Sequence, residues 1–201
     1  MVAAVDWSID LNHMSVWQRQ AVVLSVEAVG SEPFARLKLE EPTFSGIQAI
    51  KLEFARESQG DKTKVSQRWV LFPQVPGLHR IQLPQIRYTG GRRVMRWQPP
   101  PQSLQVHALP PYLPPTTPVG RIDVSSSVVA DGALEPDELG YWHIRLESNR
   151  IAPEQFPPLL KQIQSDNDIE FFPAILKQGT DIDDTQVLSF IEYRIPFKVH
   201  G

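Results

Sequence analysis

The chain contains no cysteine. That excludes a disulfide framework, a thiolate nucleophile and any zinc site built on cysteine. It leaves the compartment open, because an extracytoplasmic domain can also do without cysteine. No run of about 18 apolar residues occurs, so no segment reads as a membrane-spanning helix. The first residues, Met1 to Trp7, have no basic region leading into an apolar stretch and do not read as a signal peptide. A sustained 3.6-residue apolar stripe is missing too, which argues against a helical architecture. The nucleophile-elbow pattern G-x-S-x-G, the P-loop and the dinucleotide fingerprint G-x-G-x-x-G are all absent.

Proline, by contrast, is abundant, with 19 in 201 residues. That is roughly twice the usual level of about 5%. Prolines spread at this density interrupt helices and favour short strands bounded by turns. Apolar residues make up 41% and charged residues 21%, which fits a folded globular chain rather than a disordered one. The net charge of −3 divides unevenly, +4 through Ala108 and −7 from Leu109 onward. An excess of +4 is too small to mark a nucleic-acid-binding half.

The first half reads as short strands with a period near two. They are Val5–Leu11, Gln20–Val29, Ile47–Phe54, Gln67–Phe72, Arg80–Leu83, Ile86–Tyr88, Arg92–Trp97 and Leu104–His107. Turn signals about every ten residues between them predict a β-sandwich. Leu109 to Pro118 holds three Pro pairs or singles in a stiff, extended path, and reads as a connector. The second half offers strands at Arg121–Val129, Tyr141–Leu146, Ile169–Phe172 and Gln186–Val199, the last a strand pair or a strand bulged at Pro196. A short helix is expected from Pro158, with Leu159, Leu160 and Ile163 on one face, and Thr180–Thr185 is expected to be an acidic loop. The fold class expected is all-β: two immunoglobulin-like β-sandwich modules in tandem, at residues 1–108 and 119–201, joined by the linker 109–118. Trp69-Val70-Leu71-Phe72-Pro73, Gly77 and Ile81 to Pro84 are echoed by Tyr193-Arg194-Ile195-Pro196 and Gly201. On that echo the second module is expected to lack its last strands.

Candidate chemistry is sparse. His13, His79, His107, His143 and His200 show no metal-ligand spacing and read as structural or exposed. Gly90-Gly91-Arg92-Arg93 offers backbone N–H groups and guanidiniums suited to an anion, or simply a basic hairpin tip. Asp181-Ile182-Asp183-Asp184 supplies carboxylates for calcium but lacks the glycine and the distal Glu of an EF-hand loop, so it reads as a solvated loop. Trp7, Trp17, Trp69, Trp97 and Trp142 are either a stacking platform for sugars or bases, or core; Trp69 and Trp142 are read as core and Trp97 is left open. Pro110-Pro111-Tyr112-Leu113-Pro114-Pro115 reads as a spacer or as a ligand for a proline-binding domain. No catalytic, cofactor-binding or metal-binding residue is assigned, and no cofactor is expected.

Several stretches in order resemble the BatD family of aerotolerance, or oxygen-tolerance, proteins. They are Val70 to Pro73 with Gly77 and Ile81 to Ile86, then Leu104 to Val106 with Leu109-Pro110 and Pro118 to Gly120. Trp142 to Leu146, Pro157 to Leu159 and Ile169 to Pro173 follow, and Tyr193 to Pro196 closes the series. The resemblance implies tandem extracytoplasmic β-sandwich modules of a membrane-anchored protein, with the signal and the anchor absent from this chain. It further implies association with a MoxR-type AAA+ ATPase and von Willebrand A-domain proteins, and no catalytic residues. The resulting expectation is a non-enzymatic protein–protein interaction scaffold on the periplasmic or extracytoplasmic side, without nucleic-acid partners. The alternatives are a carbohydrate or envelope-polymer binder using exposed aromatics, and an enzyme with a site between the domains.

Overall fold

The computed structural model describes residues 5–32, 34–90, 93–114, 117–129, 138–166, 168–183 and 186–200. The chain is all-β, in several sheets none of which closes into a barrel. It divides into two compact units, Met1–Tyr112 and Leu113–Gly201.

In the first unit one layer is a five-stranded antiparallel sheet. Its members are β1 (Asp6–Leu11), β3 (Val22–Gly30), β5 (Ile47–Lys51), β6 (Ala55–Gln59) and β7 (Lys62–Pro73). The order is β1-β3-β7-β5, with β6 also paired to β7. β3 shows why these residues form a strand. Val22, Leu24, Val26 and Ala28 point inward and are fully buried, while Ser25 and Glu27 between them are not. That is the period of two that a half-covered strand requires. β5 and β6 run along successive stretches of β7, interrupted around Leu52. The buried Gln67 spans the interruption, its Nε2 donating to the Leu52 carbonyl at 2.7 Å. The β6–β7 turn puts Gly60 at φ +65, its first central position, where a side chain would be strained.

The facing layer comprises two three-stranded sheets. β2 (Ser15–Trp17) pairs with β11 (Gln102–His107), which pairs with β8 (Gly77–Ile81); β10 (Arg93–Trp97) pairs with β9 (Ile86–Gly90), which pairs with β4 (Arg36–Lys38). β8 and β9 are successive stretches of one run broken around Pro84, and β10 and β11 of another broken at Pro99-Pro100-Pro101. Proline cannot donate to a ladder, so neighbouring runs break at the same level. Glutamines stitch the gap: Gln98 Nε2 donates to the Leu83 carbonyl at 3.0 Å and Gln82 Nε2 to that of Pro99 at 3.2 Å. The N-terminal run starts on one layer as β1 and crosses to the other as β2, which lies parallel to β11. This is the strand order of an immunoglobulin-type sandwich. Its core joins Leu24, Val26, Trp69 and Leu71 from one layer to Ile81, Ile86, Leu104 and Val106 from the other.

A second cluster holds one end of this unit around Tyr88, with Ala28, Ala35 and Val65. The Tyr88 hydroxyl donates to Glu32 Oε2 at 2.9 Å. A Cβ on Gly30 would lie 2.6 Å from that hydroxyl and 2.9 Å from Glu32 Oε2. Gly30→Ala is therefore expected to push the fully buried Tyr88 aside and destabilise the unit by about 1–3 kcal/mol. Urea unfolding measures this, and an unchanged midpoint would show that the hydroxyl moves freely.

In the second unit the strands are β12 (Asp123–Val129), β13 (Leu139–Ser148), β14 (Ile169–Phe171), β15 (Ile175–Asp183) and β16 (Gln186–Val199). They form one antiparallel sheet in the order β12-β13-β16, with β14 and β15 both along the far side of β16. Ile144, Leu146, Ile191, Tyr193 and Ile195 make its inner face. Irregular chain covers that face, led by Ile151 and Phe156 and including two 3-10 turns, Pro153–Gln155 and Leu159–Gln162. The short helix expected from Pro158 is the second of these turns. Leu159 and Ile163 pack inward, but Leu160 is exposed, because the chain is already extended again at Ile163.

Two expectations for this half are corrected. The predicted acidic loop Thr180–Thr185 is, through Asp183, the end of β15, whose main chain pairs with β16 from Ile175↔Arg194 to Asp183↔Gln186. An edge strand leaves alternate side chains in water, so a carboxylate there does not prevent pairing. Residues 184 and 185 lie outside the described residues. Pro196 causes neither a bulge nor a strand break in β16, which runs on to Val199. The break falls instead on the neighbour, between β14 and β15, where the Phe172 N–H donates to the Pro196 carbonyl at 2.9 Å. On a strand N and C=O point to the same side, so the missing donor of Pro196 faces that gap.

Candidate functional site

The alternation in β13 divides Leu139–Ser148 between the two faces of the second unit's sheet. Trp142, Ile144 and Leu146 turn inward; Tyr141, His143, Arg145 and Glu147 turn outward. Direct cross-strand partners share a face, so Arg145 meets Glu192, His143 meets Arg194 and Glu147 meets Phe190. Arg145 Nε is bound to Glu147 Oε1, and Nη1 lies 3.6 Å from Glu192 Oε2. Its guanidinium covers the Phe190 ring at 4.5 Å, while that of Arg194 lies 3.9 Å from the centre of Tyr141. Phe190 is thus buried on an outward face by cations rather than by a second sheet. A shallow groove of about 260 Å³ runs alongside, lined by Ser125, Ser127, His143, Arg145 and Glu192. Within it the Arg145 and Glu192 charges are paired with each other.

On the flank of that groove lies β12. All of its seven residues are exposed on both faces, and Val124, Val128 and Val129 are each at least half exposed. The opposite edge exposes Ile175 and Leu176 on β15. These edges are the least covered apolar surface of the second unit's sheet.

The histidines stay apart. His13 is exposed. His79 Nε2 donates to the Val75 carbonyl at 2.7 Å, in the wall of a cleft of about 370 Å³ shared with Phe44, Gly46 and Gln82. His107 Nε2 shares a 2.8 Å hydrogen bond with Ser15 Oγ, beside the exposed ring of Trp17. This serine–histidine pair lies on the outer side of a short edge strand and lines neither cleft. His143 lines the outer groove, and His200 Nε2 is 3.6 Å from Glu170 Oε2. Among the described residues no group of three or more His, Cys, Asp or Glu is placed to hold a metal ion.

Gly90 closes β9 and Arg93 opens β10, paired with each other, while Gly91 and Arg92 lie outside the described residues. Asp181 and Asp183 are strand residues, and Asp184 lies outside the described residues. The tryptophans take different roles. Trp69 is core at 1% exposure, Trp142 packs near Phe171, and Trp7 and Trp97 stack at 4.9 Å. Trp17 is exposed. The five are not brought into one exposed row. Tyr112, at the end of the first unit, is exposed, and Pro115 lies outside the described residues.

Two features escaped sequence reasoning: the paired outward face of β13 and β16, and the bare edge of β12. The first was signalled by Tyr-x-His-x-Arg-x-Glu at alternate positions of a recognised strand. The second has no local signal, because being an edge depends on what lies alongside.

Among the described residues, Tyr193 is the one group whose ionisation departs clearly from its ordinary value. Burial pushes its phenol above 10.0, and a backbone hydrogen bond from Leu159 partly offsets this. The unfolded chain therefore ionises first. This contribution to stability is intact below pH 10 and is lost as pH rises from there through the folded value. Tyr193→Phe is expected to remove that part of the alkaline loss. Thermal melts of both proteins from pH 8 to 11 check it, and parallel curves would refute it.

No protein-family model matches this chain, and none of the curated proteins matches it. No helix among the described residues is long and apolar enough to cross a membrane.

Proposed function

We propose that this chain is a non-enzymatic protein-binding scaffold, the extracytoplasmic part of a membrane-anchored BatD-like protein. In this reading it works beside a MoxR-type ATPase and docks von Willebrand A-domain subunits. The observation that carries the binding role is the exposure of Ile175 and Leu176 at the β15 edge of a sheet whose polar face is already internally paired. Exposed aliphatics on a strand edge suit a partner that supplies both main-chain pairing and apolar cover. The family assignment rests on the ordered sequence resemblance.

The test places a photoreactive residue at Ile175 in the full-length protein and crosslinks it in native membranes. Recovery of a von Willebrand A-domain subunit is the expected result. Recovery of envelope glycan alone would overturn the scaffold reading.

A further inference from the structure

Among the described strands that end a sheet, most are guarded. β1 carries Asp6 and Asp10, β6 carries Arg56 and Glu57, and β10 carries two arginines. β2 and β4 span three residues each. The β14–β15 edge is guarded in part: it is broken at Pro173 and carries Lys177 and Asp181, while Ile175 and Leu176 between them stay exposed. Charge, shortness and breaks are the ordinary devices that prevent edge-to-edge pairing. β12 has none of them along its middle. Its sequence Asp-Val-Ser-Ser-Ser-Val-Val has one charge, at its first residue, and no proline.

That sequence is also complementary to itself when reversed. About Ser126, an antiparallel copy sets Val124 opposite Val128, Ser125 opposite Ser127 and Asp123 opposite Val129. Both valines of the first pair lie on the inner face, opposite Leu146 and Trp142 of β13, and stand 64% and 56% exposed. The antiparallel arrangement also holds the two Asp123 carboxylates at opposite ends, whereas a parallel one would set them side by side.

We propose that β12 pairs with β12 of a second copy of this chain, antiparallel and centred on Ser126, joining two five-stranded sheets across a two-fold axis. The contact is isologous and closes as a dimer. It shields the exposed valines and gives hydrogen-bond partners to the edge of β12 that no described strand pairs. A seven-residue ribbon buries less than a standard interface of about 1,600 Å², so association is expected only at about 10–100 µM chain. The inference rests on reading the chain as a binding scaffold, but it uses a different edge from the one tested at Ile175.

The absence of native cysteine makes the register directly testable. Directly opposed residues have Cα atoms about 4.5–5.5 Å apart, within disulfide reach. Ser126→Cys is expected to form a covalent dimer on mild oxidation of the whole chain. A mixture of Ser125→Cys and Ser127→Cys is expected to give the mixed dimer, with neither variant crosslinking efficiently to itself. Sedimentation should show the unmodified chain self-associating, and Val124→Lys with Val128→Lys weakening this at least tenfold while circular dichroism stays unchanged. A chain that remains monomeric at 100 µM, or one in which Ser125→Cys joins to itself, would overturn the proposal. A partner still captured at Ile175 in that case would leave the scaffold reading standing.

Discussion

Trp69→Ala is expected to cost the first unit about 3–5 kcal/mol, the range for removing a large aromatic from a core. Trp69 is the largest fully buried side chain of the molecule, on the central strand β7 opposite Leu24 of β3. It packs where Leu24 and Leu71 of one layer meet the residues of the facing layer. Its indole Nε1 is buried with no hydrogen-bond partner among the described residues. The indole is thus held by packing, and Trp69→Phe is expected to cost well under half as much as alanine. An aromatic ring still fills most of the site, and no hydrogen bond is lost. Urea unfolding of the three proteins, followed by far-ultraviolet circular dichroism, measures both differences. Equal losses for Phe and Ala would mean that the indole N–H contributes what its surroundings do not explain.

The second large effect is expected at Phe156. Most of the core of the second unit comes from the regular strands β13 and β16, but its lid is irregular chain. Backbone pairing cannot hold such a lid as it holds a sheet, so buried side chains must do it. Phe156 is 6% exposed and Ile151 fully buried, and both belong to the same cluster as Ile144 and Tyr193. Phe156→Ala is expected to cost about 3–5 kcal/mol. The loss should appear first as proteolytic cutting between Ser148 and Asp166, where the cover loosens, before the sheet itself unfolds. Ile163→Ala, at a partly buried position on the same lid, should cost less. Uniform cleavage through the strands at the same rate would show instead that lid and sheet open as one.

The recognised strands show which kinds of information a sequence carries locally. β3 and β13 were legible because alternate residues differ in polarity, and that alternation needs no knowledge of the rest of the chain. Breaks at Pro84 and Pro99–Pro101 were legible because proline lacks an N–H wherever it stands. The short strands β2 and β4 were not legible, since three residues carry no period; they exist because β11 and β9 offer them a ladder. The end of β15 was misread for a related reason. Its aspartates are typical of a loop, and its pairing to β16 outweighs that preference. The echo between Trp69–Pro73 and Tyr193–Pro196 likewise does not carry one structure twice, because β7 ends at Pro73 while β16 continues to Val199.

The site features divide in the same way. Each aromatic and charged residue was visible in the sequence, but not its company. Trp7 and Trp97 stack because two different layers bring them to one end of the first unit. Arg145 covers Phe190 because β13 and β16 lie in a particular register.

The sequence by itself determined the all-β class and the course of the strands with alternating polarity, since both follow from polarity repeating along the chain and from proline's missing donor. The tertiary structure alone decided which strands are central and which are edges, which charges neutralise one another, and that β12 is left bare. Those are properties of neighbours distant in sequence, and a residue's own chemistry does not say what will lie beside it.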